Sequence, residues 1–184
     1  MMGHDDDVGP QDARTSLWLV PAEPMRAVLR THIDRLAVEL DAPSFEPHIT
    51  LGSAIVDDEA TRDVLGAFAA THPPLELVAG ATAHGVERFK ALFIEFADER
   101  IHDLAGSLCE ALAVPFDGTS LQPHLSLLYR ADLMLRTRVS LAARHSLAGT
   151  AMRFDTLIAM RPGEELEDIA RWQTIVARAL QQPS

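Results

Sequence analysis

The tetrad Pro47-His48-Ile49-Thr50 returns 76 residues later as Pro123-His124-Leu125-Ser126, and this repeat constrains the fold more than any other feature of the chain. Its surroundings repeat with it. A shift of 76 carries Trp18 onto Ile94 and Leu77 onto Arg153, each inside a stretch with strand character. The first copy reads as a strand at 16–21, a helix at 23–40, a strand at 47–56, a helix at 57–72 stopped by Pro73 and Pro74, and a strand at 75–87. The second reads as a strand at 89–96, a helix at 97–114, a strand at 123–130, a helix at 131–146 and a strand at 149–161, with one further strand over 171–180. The expected fold is α+β: a duplicated unit about a pseudo-two-fold axis, with two small, mostly antiparallel sheets backed by helices around a central cleft. The sheets would pair edge to edge or face to face. Residues 1–14 are expected to be a flexible acidic tail, and 15–184 a single two-lobed domain.

Strand alternation assigns the faces. His48 and Thr50 point one way and Ile49 and Leu51 the other; His124 and Ser126 share a face against Leu125 and Leu127. With the aliphatic set under helices, both histidines face the cleft. A neutral imidazole takes a proton and an imidazolium gives one, so two histidines across a cleft suit a reaction needing a base on one side of phosphorus and an acid on the other. Thr50 and Ser126 would donate hydrogen bonds to the non-bridging oxygens as charge develops. This chemistry calls for no metal and no cofactor. A single histidine beside a threonine would more often be structural; two copies in matching register behind proline are what carry the reading.

Composition narrows the partners. A formal charge of -11 argues against capture of long nucleic acids, which depends on many Lys and Arg contacts to phosphate. A small anionic ligand needs only a few local donors. Lys90 is the sole lysine; it and Arg130 lie near cleft strands, where a surface charge is the default reading. The mean hydropathy of +0.04, the absence of a long apolar run and the polar, acidic start point to a cytoplasmic protein with no membrane partner, expected to be a monomer. With Cys109 alone, no intramolecular disulfide can form.

The two H-x-[ST] tetrads, "PHIT" and "PHLS", resemble those of the 2H phosphoesterase superfamily, closest to its small cyclic phosphodiesterases. "SLWLVP", "RFKALFIEF", "PHLSLLY" and "RWQTIV" extend the likeness from residue 16 to about 177. The resemblance implies a bilobal fold with a water-filled cleft. It implies hydrolysis of a nucleoside 2′,3′-cyclic phosphate or of ADP-ribose 1″,2″-cyclic phosphate. It carries His48, Thr50, His124 and Ser126 over as the catalytic tetrad, Tyr129 as a phosphate contact, and Trp18 as a cleft aromatic on the nucleoside side. Strict alternation puts Tyr129 on the face opposite His124, so it reaches the cleft only where the strand twists, bulges or ends. In one arrangement His124 activates water and His48 protonates the leaving oxygen; pseudo-symmetry admits the reverse. Plant members carry disulfides around the cleft, a property that one cysteine cannot reproduce. Two alternatives stand beside this reading: RNA 2′,5′-ligation or RNA-end processing, with RNA ends as partner, and a non-catalytic module binding a cyclic phosphate or nucleotide.

Overall fold

The computed structural model describes residues 14–130, 132–163 and 165–182. The tail expected over 1–14 lies outside the described residues except for Arg14, which opens the first strand. The chain runs β1 (Arg14–Pro21), α1 (Met25–Leu40), β2 (Ile49–Ile55), α2 (Asp58–Thr71), β3 (Leu75–Val78), β4 (Thr82–His84), β5 (Leu92–Glu95), α3 (Glu99–Ala111), β6 (His124–Leu128), α4 (Leu135–Arg144), β7 (Ala151–Arg161) and β8 (Gln173–Ala179), with a 3-10 turn at Leu166–Arg171.

Local chemistry sets the helix limits. Asp57 caps α2 by accepting from the amides of Glu59 and Ala60, Asp58 and Glu59 complement the positive end, and Pro73 and Pro74 follow its close. Asp98 caps α3 through the Arg100 amide. Helix α1 buries Leu29, Ile33, Leu36 and Ala37, one stripe at helical spacing, and ends where Asp41 turns left-handed at φ 48°.

The strands form one sheet ordered β3-β7-β1-β2-β6-β5-β4, with β8 also on β7, and every pairing is antiparallel. The two expected sheets are thus joined edge to edge, through the pair Ile49 and Leu125. These residues are 76 apart, so the junction pairs a position with its own repeat and lies on the pseudo-two-fold axis. The β3–β7 contact obeys the same symmetry: Leu75 pairs Phe154 while Val78 pairs Ala151, and the shift of 76 turns one pair into the other. The β1–β7 pairs Leu17–Ala159 and Trp18–Ile158 map likewise onto the β5–β4 pairs Phe93–Ala83 and Ile94–Thr82. Each half therefore lends a strand to the other. The stretch expected as one strand over 75–87 is split for this reason, β3 pairing with β7 and β4 with β5.

One sheet face is packed under the helices: Leu17, Leu19, Ile49, Leu51, Leu125, Leu127 and Leu157 join the α1, α2 and α3 stripes in a single core. The alternate residues Trp18, Val20, Ile158 and Met160 form a small cluster on the other face, the face of His48 and Thr50. Cys109 is buried as a free thiol.

The junction gives the first expectation. Ile49 and Leu125 are both fully buried. Truncating either to alanine should cost about 3 kcal/mol of unfolding free energy, and the double variant should deviate from additivity because the two share a contact. Urea unfolding of the two single variants and the double variant measures both.

Candidate active site

The two motifs cross at the Ile49–Leu125 pair. Carrying that antiparallel register one residue either way sets His48 across from Ser126 and Thr50 across from His124. All four polar side chains line one cavity of about 260 Å³, together with Glu87, Phe89, Lys90 and Tyr129. Tyr129 reaches it because β6 ends at Leu128, one residue before it, releasing it from the alternation.

The two imidazoles are held alike. His48 Nδ1 lies 2.6 Å from the Glu46 carbonyl and His124 Nδ1 lies 2.7 Å from the Gln122 carbonyl, each two residues upstream. A carbonyl only accepts, so each Nδ1 carries hydrogen, and each neutral ring keeps its basic lone pair on Nε2. The His48 anchor is itself braced. The Glu46 carboxylate receives Arg26 and Arg30 of α1, which ties the segment before β2 to the helix.

Their surroundings differ. His48 is only 6% exposed, and Trp18 stacks on its ring at 3.6 Å and 8°. Trp18, 3% exposed, donates its indole N–H to Ser16 Oγ at 2.8 Å. It therefore sits behind His48, not on the cavity wall where a nucleoside-facing aromatic would stand. Burial pulls the His48 pKa down to about 4, against the Glu46 carbonyl bond that raises it. His124 is less enclosed. Burial lowers its pKa as well and Lys90 pushes the same way, but Glu87 and Glu95 pull it upward.

Phe93 is the aromatic partner of His124, with ring centres 5.4 Å apart. It pairs with Ser126 as Trp18 pairs with Thr50. The repeat of 76 aligns Trp18 with Ile94; a one-residue slip of the β5–β6 register brings up Phe93 instead. Sequence reasoning missed Phe93 for that reason. It also undervalued Lys90, whose ammonium donates to Gln122 Oε1 at 3.1 Å and sits 4.6 Å from the centre of the Phe93 ring, at the cavity wall. Arg130 pairs instead with Asp132.

The hydroxyls differ too. Ser126 Oγ donates to the Phe89 carbonyl at 3.0 Å, whereas Thr50 has no side-chain partner among the described residues. Tyr129 is held between rings, stacked on Phe45 at 3.6 Å with Phe89 edge-on at 5.3 Å. Burial pushes its phenol up, so it is a neutral donor. Trp172, before β8, closes the cluster near Trp18, Phe89 and Tyr129. Among the described residues no group of three or more His, Cys, Asp or Glu side chains is arranged to hold a metal ion, and no helix is long and apolar enough to cross a membrane.

Fold and site together define a two-lobed α+β protein with two tautomerically matched histidines at its symmetry axis. The family model described as cyclic phosphodiesterase-like protein matches residues 14–101, which include the first tetrad. Among solved structures, TT0787 of Thermus thermophilus superposes with a TM-score of 0.63 at 16% identity, covering 93% of this chain and 100% of that one. Escherichia coli LigT complexed with NADP+ gives 0.60 at 15% identity over 94% and 99%. LigT complexed with ATP gives 0.59 at 15% over 92% and 99%. No curated protein matches the sequence. The chain is thus similar in sequence to the cyclic phosphodiesterase-like family over its first half, and over nearly its whole length it has the fold of these structures.

The buried histidine yields a spectroscopic expectation. In nitrogen-15 spectra of the ligand-free protein, His48 should show the Nδ1–H tautomer at pH 7 and take up a proton only near pH 4. Trp18→Ala should return its titration toward 6.5 by admitting water. A wild-type His48 titrating at 6.5 would contradict the burial argument.

Proposed function

We propose that the protein hydrolyses cyclic phosphodiesters, a ribose 2′,3′-cyclic phosphate or a related 1″,2″-cyclic phosphate, with its two histidines as base and acid. The observation that carries this is the pair of Nδ1 anchors, which leave two Nε2 atoms available in one cavity with a hydroxyl beside each. A module that only bound a cyclic phosphate would need the hydroxyls but not two oriented proton carriers. The LigT structures with ATP, 3′-AMP and NADP+ support a nucleotide ligand for this fold.

The unequal surroundings favour one division of labour. His48, enclosed and neutral, serves as the base; His124, beside Glu87 and Glu95, serves as the acid. This reverses the arrangement entertained from sequence. Water attacks phosphorus and gives its proton to His48 Nε2. The bond from phosphorus to one ribose oxygen breaks, and that oxygen takes the proton from His124 Nε2. The products are one phosphomonoester and one free hydroxyl; exchange with solvent then resets both rings. Thr50 donates to a non-bridging oxygen as it stands, and Ser126 does so by turning its O–H from the Phe89 carbonyl. Tyr129 adds a donor, and Trp18 is a positioning residue that holds the His48 ring. Residues 15–184 act as one unit in this scheme, as a cytoplasmic enzyme.

The sign of the pH dependence follows. The active form of the free enzyme has His48 neutral, hence pH above about 4, and His124 charged, hence pH below a value itself lowered from 6.5. kcat/KM should therefore be bell-shaped with its maximum on the acid side of neutrality. Bound phosphate, an anion, moves both limbs of kcat upward. A profile flat between pH 4 and 8 would remove the paired-histidine mechanism.

The direct test incubates wild type, His48→Ala and His124→Ala with the four nucleoside 2′,3′-cyclic phosphates in EDTA and separates the products. Each variant should lose roughly 10²–10⁴-fold in rate, the usual worth of a positioned acid or base. Binding without turnover by wild type would favour the non-catalytic module, and turnover only of RNA ends would favour the RNA-processing alternative.

A further inference from the structure

Two grooves open from the catalytic cavity, one of about 520 Å³ and one of about 580 Å³, and both meet it at Lys90 and His124. Among the described residues, Lys90 is the only Lys or Arg lining any of the three, although the chain carries 16 such residues. Apart from the histidines, His124 at the shared junction and His102 in the second groove, the other ionisable side chains of the two grooves are carboxylates and the Cys109 thiol. Glu87 and Asp117 flank the first groove, and Glu95, Asp98 and Glu99 the second. Asp117 accepts from the Thr119 hydroxyl and amide, which hold its carboxyl below the usual range, so it is ionised. Asp98 is offset by Arg100 at 2.7 Å and already caps the amino end of α3, so that helix terminus has no vacancy for an anion.

We infer that this site selects substrates whose only negative charge is the cyclic phosphate itself, with Lys90 as the one Lys or Arg that anchors that charge beside the protonated His124. The inference rests on the cyclic phosphodiesterase reading above and deepens it. A phosphodiester monoanion seated between His48 and His124 is the one charge that Lys90 is placed to meet. A second phosphate group, reached along either groove, meets carboxylates and no unpaired cation. Nucleoside 2′,3′-cyclic phosphates satisfy this arrangement. ADP-ribose 1″,2″-cyclic phosphate, with its pyrophosphate, and a polynucleotide end, with its run of phosphates, do not. The flanks of the substrate are then recognised through neutral contacts; Phe116 and Gln122 offer a ring and an amide in the first groove.

The test compares adenosine 2′,3′-cyclic phosphate with the same compound bearing a 5′-phosphate. Ring, base and scissile bonds are identical, so the ratio reads charge. kcat/KM should be about tenfold or more lower for the 5′-phosphorylated compound at low ionic strength, and the gap should narrow as salt screens the carboxylates. Lys90→Gln should lower kcat/KM for the simpler substrate by about tenfold, mainly through KM. Equal or reversed preference overturns the charge selection, and an unaffected Lys90→Gln overturns the anchor. Calorimetric binding of adenosine 2′-phosphate and adenosine 2′,5′-bisphosphate to the wild type reads the same selection without turnover. If neither cyclic compound is hydrolysed yet the monophosphate binds tighter by a similar margin, the catalytic reading falls and the selection stands. If neither ligand binds, both fall.

Discussion

One antiparallel pair, Ile49 against Leu125, fixes the geometry on which everything else in this protein depends. A residue paired with its own repeat has no freedom of register. Moving the contact by one residue would turn His48, Thr50, His124 and Ser126 toward the helices and push Ile49, Leu51, Leu125 and Leu127 into the cleft. The first group would lose water and partners; the second would lose the burial that contributes roughly 1.5–3 kcal/mol for each large aliphatic side chain. The hydrophobic core and the site are two faces of a single register, so selection for one maintains the other.

Symmetry provides matched parts, and local packing then makes them unequal. Both rings are pinned through Nδ1 by a carbonyl two residues upstream, a consequence of the shared Pro-His entry into the strand. Behind His48 stands the large, flat Trp18, which excludes water; behind His124 stands Phe93, edge-on, with Lys90 above it. Burial penalises the charged form of both rings, but only His124 has carboxylates that pull the other way. In a symmetric pair of identical groups a single shared proton would have no preferred ring, so neither would be set apart as base or acid. The difference in burial separates them without changing their orientation.

Much of this was legible in the sequence because a strand's period of two is rigid and the repeat is long. The tetrad, its common face, the aliphatic residues behind it and the order of the elements follow from those two facts. The register slip in β5 was not legible, since a bulge leaves no mark in residue type; it exchanged Ile94 for Phe93 beside the second histidine. Trp18 was read as a cleft aromatic, but its depth depends on Ser16, two residues back in the same strand, accepting the indole N–H and on the His48 ring of the neighbouring strand lying flat against it. Lys90 looked like any surface charge. Its position became informative only once the adjoining walls, among the described residues, were seen to carry no other Lys or Arg.

The exchange of strands between halves explains why the site can stand preformed. β7, from the second repeat, pairs with β1 and β3 of the first, while β4, from the first, pairs with β5 of the second. Separating the lobes would therefore expose the backbone groups of these ladders as well as the junction pair. Hinge opening at the cleft is costly in such an arrangement, and the distance between the two imidazoles is set by the sheet, not by ligand. A reaction that needs proton carriers on opposite sides of one phosphorus gains from this directly: the reacting groups are held before substrate arrives, and binding energy is not spent on bringing them together.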